Sequence, residues 1–185
     1  DQLWEGHHSY ALKDALRVAL DRNQNLNLFM RNFADLVKLP AANKKKTDLN
    51  QLITSVAKLM EYRASEKGIQ LVLEISEDPY YISADEQQME QALINIVKNA
   101  IEAVEQDGVV KLTANTSLRQ LIISDTGKGI SPEQSEQLFT PFYSTKKDGQ
   151  GIGLTLVREI LMNHGFDFWL KTVAEKQTEF VIVFK

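Results

Sequence analysis

The sequence predicts an α+β fold, a mixed sheet covered by helices on one face, preceded by one long N-terminal helix. Two observations carry that expectation. Strand-like runs of alternating apolar residues come in adjacent pairs, with helix-like runs between the pairs. Ahead of them, a heptad-spaced apolar stripe runs to Pro40 and gives way to the basic stretch Ala41-Ala-Asn-Lys-Lys-Lys46.

From the N-terminus, the first helix spans roughly Ser9 to Leu39 and is stopped by Pro40, which has no amide proton to donate. Its apolar positions are Leu12, Leu16, Ala19, Leu26, Met30, Phe33 and Val37, with Asn23 filling the gap in a four–three spacing. A second row (Ala15, Phe29, Leu36) widens the stripe beyond a two-stranded seam, as in a bundle helix whose partners lie outside this chain or in a second copy of it. The polar, basic segment at 41–46 is the expected hinge, placing one unit at 1–45 and a second at 46–185.

In the second unit Leu52, Ile53, Val56, Leu59 and Met60 mark a helix, and Ile69, Leu71, Leu73 and Ile75 alternate as a half-buried strand. Asp85 to about Glu105 forms a helix that turns Met89, Leu93, Ile96, Val97, Ala100, Ile101 and Val104 to a core. Asp107-Gly108 leads into strands at Val109–Ala114 and Leu118–Ser124, and a short helix is expected near Pro132 to Leu138. The helix Ile152–Asn163 ends at Gly165, and strands Phe166–Val173 and Thr178–Phe184 close the sheet.

Composition narrows the function. At 185 residues, 43% hydrophobic and 25% charged, the chain has the make-up of a soluble globular domain with an appendage. A net charge of -4 argues against a nucleic-acid surface, which needs a basic stripe. Phosphates would therefore have to be held by local amides, a metal and a few placed cations. The absence of cysteine excludes a disulfide framework and a thiolate metal site, and suits a reducing compartment. No apolar run has the length of a membrane span. A start at Asp1 is expected of a fragment, one from which membrane segments could have been left behind.

The chemistry concentrates in four places. Asn95 and Asn99 are four apart, so one helical face carries both carboxamides. An amide oxygen suits Mg²⁺, a hard cation that keeps phosphates and waters in its shell; the plainer reading is helix amides bonded to backbone or water. Asp125 follows the apolar strand Leu121-Ile-Ile and opens Asp125-Thr-Gly-Lys-Gly-Ile130. A carboxylate there can accept a hydrogen bond from adenine N6, where guanine carries an oxygen, and Gly127 and Gly129 let backbone approach a planar ring. The alternative is a tight Asp-X-Gly turn with a capping carboxylate. Asp-Thr-Gly is also the aspartic-protease tripeptide, but one copy would require a symmetric dimer and leave the other motifs without a role.

The third place is Gly149-Gln-Gly-Ile-Gly-Leu154, whose glycines (Gly149, Gly151, Gly153) open a helix with free amides suited to phosphate oxygens, or form only a flexible linker. The fourth is the loop before it, Phe139-Thr-Pro-Phe-Tyr-Ser-Thr-Lys146. Its Ser144, Thr145 and Lys146 could reach terminal phosphates, while Phe139 and Phe142 would anchor it as a lid. Solvated hydroxyls and ordinary packing aromatics are the competing readings.

In order along the chain, Asn-X-X-X-Asn-Ala, Asp-X-Gly-X-Gly-Ile, Phe-X-Pro-Phe and Gly-X-Gly-X-Gly-Leu closely resemble the N, G1, F and G2 boxes of sensor histidine kinases. These kinases belong to the wider ATPase group that includes gyrase B, Hsp90 and MutL. The resemblance covers roughly residues 47–185 and is most like the nitrogen-regulation (NtrB/NtrY-like) kinases. The stretch from Asp21-Arg-Asn-Gln-Asn-Leu to Leu39-Pro40 also resembles the second helix of their dimerisation and phosphoacceptor hairpin.

The resemblance implies a Bergerat-type α/β sandwich that binds ATP or ADP with Mg²⁺. It implies Asn99 as the metal ligand, with Asn95 beside it at the phosphates. Asp125 would take adenine N6, and Gly127, Gly129 and Ile130 would shape the base pocket. Phe142, Thr145, Lys146 and the segment Gly149, Gln150, Gly151, Ile152, Gly153, Leu154 would close over the nucleotide. Thr178 would reach the adenine through water. Asn95 and Lys146 would be the catalytic side chains, acting by positioning and charge neutralisation. Just after Asn99-Ala100 the chain carries Glu102 and Ala103, where many relatives carry a basic or aromatic residue.

The implied activity is transfer of the ATP γ-phosphoryl to a histidine and then to the aspartate of a response-regulator receiver domain, in a cytoplasmic homodimer. The acceptor histidine of such kinases is followed by an acidic residue and, a few positions on, a proline. His7-His8-Ser9-Tyr10 has neither and lies where the second hairpin helix should begin. The first hairpin helix is therefore expected to be absent, and the fragment is expected not to phosphorylate itself. His164, ahead of Gly165 at a helix end, is expected to be structural, with its imidazolium favoured by the helix dipole. Two other readings remain: another ATPase of the same group, such as an anti-sigma-type protein serine kinase, and a non-catalytic dimerising scaffold.

Overall fold

A computed structural model describes residues 39–146, 149 and 151–185, together with 13, 16–20, 22–23, 26–27, 30 and 34 nearer the N-terminus. The chain divides into two units, Asp1–Lys38 and Leu39–Lys185. In the first, the described residues are all helical, and Leu16, Leu26 and Met30 of the apolar stripe lie exposed. Leu12, Ala15, Phe29, Phe33, Leu36, Val37 and the His7-His8 pair fall outside the described residues.

The second unit begins with β1 (Lys45–Asp48), α1 (Leu49–Ser65), β2 (Gln70–Glu74) and β3 (Tyr81–Ala84). It continues with α2 (Glu86–Ala103), β4 (Val109–Asn115), β5 (Gln120–Asp125) and α3 (Pro132–Ser135), and ends with α4 (Gly153–His164), β6 (Asp167–Ala174) and β7 (Gln177–Val183). Five strands form the main sheet in the order β2-β4-β5-β7-β6, with β2 parallel to β4 and the remaining pairs antiparallel. The expected mixed sheet and α+β class are therefore observed.

Period-two alternation sets the two faces of this sheet. Val110 and Leu112 of β4, Leu121 and Ile123 of β5, and Phe180 and Ile182 of β7 are buried against the helices. α1 contributes Leu49, Leu52, Ile53, Val56 and Met60, α2 contributes Met89, Leu93, Ile96, Val97 and Ala100, and α4 contributes Leu156, Val157, Ile160 and Leu161. Both long helices start on an aspartate cap: Asp48 accepts from Asn50 and Gln51 amides, and Asp85 from the Gln88 amide. Gly165, at φ 74, closes α4 in the left-handed conformation expected of it.

The basic stretch expected to be a hinge is not one over its whole length. Lys45–Asp48 pairs antiparallel with Tyr81–Ala84 as a separate two-stranded sheet. The residues before it are tied down as well. Gln88 Nε2 donates to the Pro40 carbonyl (3.0 Å), Asp85 accepts from the Asn43 amide (2.9 Å), and Lys44 Nζ donates to the His164 carbonyl (2.9 Å). Hydrogen bonds to neighbouring backbone override the polar composition that suggested a hinge.

His164 is structural as expected, but its ring is neutral rather than the imidazolium that the helix dipole would favour. Its Nδ1 donates to the Ile160 carbonyl (2.7 Å) and its Nε2 accepts the Asp85 amide proton (2.9 Å), which requires the neutral ring. At 4% exposure, burial holds its pKa below the ordinary value, and this outweighs the helix-dipole preference for a cation.

Candidate functional site

One face of α2 organises the site. Asn95, Asn99 and Ala103 recur every fourth residue, so all three point the same way and span about 12 Å. Each meets a different element. A methyl group at Gly153, the first residue of α4, would lie 3.2 Å from Asn95 Oδ1. The Lys146 ammonium donates to Asn99 Oδ1 at 3.2 Å. A methyl group at Gly127 would lie 2.7 Å from the Ala103 carbonyl oxygen and 2.7 Å from Asp125 Oδ1. Gly127 is thus required for the Asp125 turn to seat against the end of α2.

The end formed by Asp125 is built by the sheet. Asp125 is the last residue of β5 and stands opposite Thr178 on β7, which in turn stands opposite Thr172 on β6. Asp125 is 8% exposed, accepts from the Gly127 amide at 2.9 Å, and has its pKa raised to about 6 because burial disfavours the charged form. Thr178 is 4% exposed and its hydroxyl has no hydrogen-bond partner. Two buried polar groups with unused capacity face each other across adjacent strands, which is costly unless a ligand or water completes them.

The turn leaving Asp125 is pinned at its far end. Gly129 has φ 83 and lies against Thr172, and the Ile130 amide donates to Thr172 Oγ1 at 2.8 Å. Thr172 is a site residue that sequence reasoning missed. Its signal was weak: Phe168 and Leu170 are half-buried in alternation along β6, but Thr172, next in that row, is exposed, and only its hydrogen bond marks it.

The other end is built from loop and helix terminus. α4 starts at Gly153, and among the described residues no side chain caps its first-turn amides. The Phe142 amide donates to the Gly151 carbonyl (3.0 Å), and Gly151 at φ 65 has no room for a side chain beside Phe142 and Tyr143. The Gly149 amide donates to the Lys146 carbonyl (3.1 Å), closing a turn in which Ser144 Oγ accepts from the Lys146 amide (3.1 Å). Thr145 and Gly149 are exposed, Ile152 is buried and Leu154 is half-buried. Gln150 lies outside the described residues.

The expected pair of lid anchors reduces to one. Phe139 packs edge-on against Phe168 and Phe180 at centroid distances of 5.4 and 6.4 Å. Phe142 is 54% exposed with a left-handed backbone (φ 68), so the turn that bonds it to Gly151 does not pack its ring into the core. Lys146 is held by Asn99 and also by Glu102, one turn further along α2.

Comparison with known proteins identifies the family and the fold. Residues 84–185 match the family described as histidine kinase-, DNA gyrase B- and HSP90-like ATPase. The sensor histidine kinase ZraS of Salmonella typhimurium is 33% identical over 96% of this chain and 38% of its own length. The catalytic domain of histidine kinase ThkA is 31% identical with a TM-score of 0.68, covering 76% of this chain and 93% of that one. ThkA in complex with the response regulator protein TrrA superposes with a TM-score of 0.75 at 27% identity, covering 92% of this chain and 50% of that one. The chain belongs to the histidine kinase-, gyrase B- and HSP90-like ATPase family, and its second unit is a catalytic domain of the sensor histidine kinase type. It spans little more than a third of the ZraS sequence. Among the described residues no helix is long and apolar enough to cross a membrane.

Proposed function

We propose that residues 46–185 bind Mg-ATP along the α2 face and deliver its γ-phosphoryl to a histidine for relay to a response regulator. The observation that carries this reading is the pair Asp125 and Thr178, buried polar neighbours with unused hydrogen-bonding capacity at one end of a row that reaches Asn95. Adenine fits that pair because N6 offers a donor to the carboxylate, and Thr178 can reach the ring directly or through water. Gly127, Gly129 and Ile130 would form the wall of the base pocket. The span of about 12 Å from Ala103 to Asn95 suits a nucleoside with its phosphates extended along the helix.

At the phosphate end, Asn99 Oδ1 is a hard oxygen ligand suited to Mg²⁺. Among the described residues no group of three or more His, Cys, Asp or Glu side chains could hold a metal, so the ion would share its shell with phosphate oxygens and water. Bound there, Mg²⁺ supplies neutralisation of charge on the transferring phosphoryl group. Asn95 would orient the phosphates, and Lys146 would compensate their charge. Thr145, Phe142 and the Gly149–Leu154 amides, Gln150, Ile152 and Gly153 included, would close over them. No side chain on this row is placed as a base toward an incoming nucleophile. That role falls to the segment carrying the acceptor histidine.

In the longer protein, residues 1–45 would form the second helix of a dimerisation hairpin, making the kinase a homodimer with a receiver domain as its partner. ThkA with TrrA is the precedent for that partner. A cytoplasmic placement, with or without a membrane anchor elsewhere in the longer protein, follows from the same reading. The test is displacement of a fluorescent ATP analogue by unlabelled nucleotide with and without Mg²⁺. Saturable binding that prefers adenine to guanine nucleotides and tightens with Mg²⁺ is expected. Equal affinity for ATP and GTP, or none for either, contradicts the reading.

A further inference from the structure

We propose that Glu102 is a positioning residue that acts as an internal anion. Its carboxylate holds Lys146 in the ligand-free molecule, and incoming Mg-nucleotide must displace it. The inference rests on the assignment of the Asn95–Ala103 face to a nucleotide, and adds to it a residue that sets how strongly the site holds its ligand.

Glu102 follows Asn99 by three residues, so both side chains leave α2 on neighbouring positions of one surface. The Lys146 ammonium bonds both of them at once, accepted by Asn99 Oδ1 and by Glu102 Oε2. Lys98, one turn before Glu102, brings a second ammonium to 3.9 Å from Oε1. The carboxylate is therefore bracketed by two cations at the place where phosphates are expected.

An exposed lysine–glutamate pair is usually worth little. This one differs because the lysine also occupies the oxygen assigned to the metal. A metal ion and an ammonium held together against Asn99 Oδ1 would repel each other at close range, so one displaces the other. Metal arrival and release of Lys146 are thus one event. The phosphates that come with the metal give the lysine a more highly charged partner than Glu102. The molecule without ligand keeps its lid cation parked beside the site rather than in solvent, and part of the binding energy is spent on breaking that contact.

The test is a double-mutant cycle read by titration with a fluorescent ADP analogue plus Mg²⁺, on wild type, Glu102→Gln, Lys146→Met and the double variant. Glu102→Gln is expected to tighten binding about two- to fivefold, the range set by an exposed ion pair. Lys146→Met is expected to weaken binding, and in its background Glu102→Gln is expected to change nothing. Weaker or unchanged binding in Glu102→Gln overturns the proposal. So does a gain that persists without Lys146, which would make the effect simple repulsion of phosphate. Failure of the site itself reads differently: the probe would then bind Asp125→Asn as well as it binds wild type, or bind neither, and both readings would fall.

Discussion

The two ends of the α2 row are built on opposite principles. At the Asp125 end three adjacent strands fix Asp125, Thr178 and Thr172 in register, and burial removes Asp125 and Thr178 from water. At the Lys146 end a loop and a helix start supply the groups, Thr145 and Gly149 are exposed, and Lys146 is held by the side chains of Asn99 and Glu102. The first end is rigid and bears its cost in the folded state. The second is solvated. On the proposed reading, a site divided in this way would select its base by fixed geometry and its phosphates by movement.

That contrast is broken most severely at Asp125. Asp125→Asn turns an acceptor toward adenine into a group that also donates, and calorimetry with Mg-ADP is expected to show at least a hundredfold loss of affinity, since a mispaired buried polar group costs several kcal/mol. Gly127→Ala should follow closely, with a loss of tenfold or more. A methyl 2.7 Å from the Ala103 carbonyl and Asp125 Oδ1 forces the turn off the end of α2.

A pH titration sharpens the comparison next. Asp125 has a pKa of about 6, so the proportion of ionised acceptor falls as pH drops through that value. Nucleotide affinity is expected to fall by up to tenfold for each pH unit below it, and Asp125→Asn should abolish the pH dependence. A smaller effect, about fivefold in affinity, is expected for Thr172→Val, which removes the acceptor for the Ile130 amide but keeps the strand. At the far side of the domain His164 predicts a change in stability rather than binding. Its pKa is lowered in the fold, so the unfolded chain takes up its proton first, and stability should decline as pH falls below the ordinary histidine value of about 6.5. Thermal unfolding of His164→Gln should show a weaker decline over that window.

Much of this was legible in the sequence because period carries it. The helices and the main-sheet strands follow from apolar spacing, and the order Asn95, Asn99, Asp125, Gly127, Gly149 to Gly153 follows from glycine and amide placement. What escaped has no period to read. β1 and β3 are four residues each, and β1 is written in Lys, Thr and Asp, which look like a linker until they pair. Thr172 and Glu102 matter through a cross-strand register and a contact from a loop 44 residues away in sequence. Phe142 was expected to pack into the core as an aromatic residue, but it is 54% exposed on a left-handed turn. The structural role of His164 was legible, but its neutral state was not, because position at a helix end says nothing of depth.

The central claim is that Asp125 is held in the fold against its own preference, for a donor that the protein alone does not provide. Carrying charge at neutral pH with a pKa of about 6 rather than the ordinary 3.8 costs about 3 kcal/mol. The direct measurement is thermal unfolding of wild type and Asp125→Asn without nucleotide, from pH 4 to 8. The variant is expected to melt several degrees higher at pH 7.5, with the gap shrinking as pH falls from 6 toward 3.8, where the cost of ionisation disappears. A variant that melts at or below wild type at pH 7.5 would mean that the carboxylate stabilises the empty fold, and that nothing at this position is kept in reserve for a ligand.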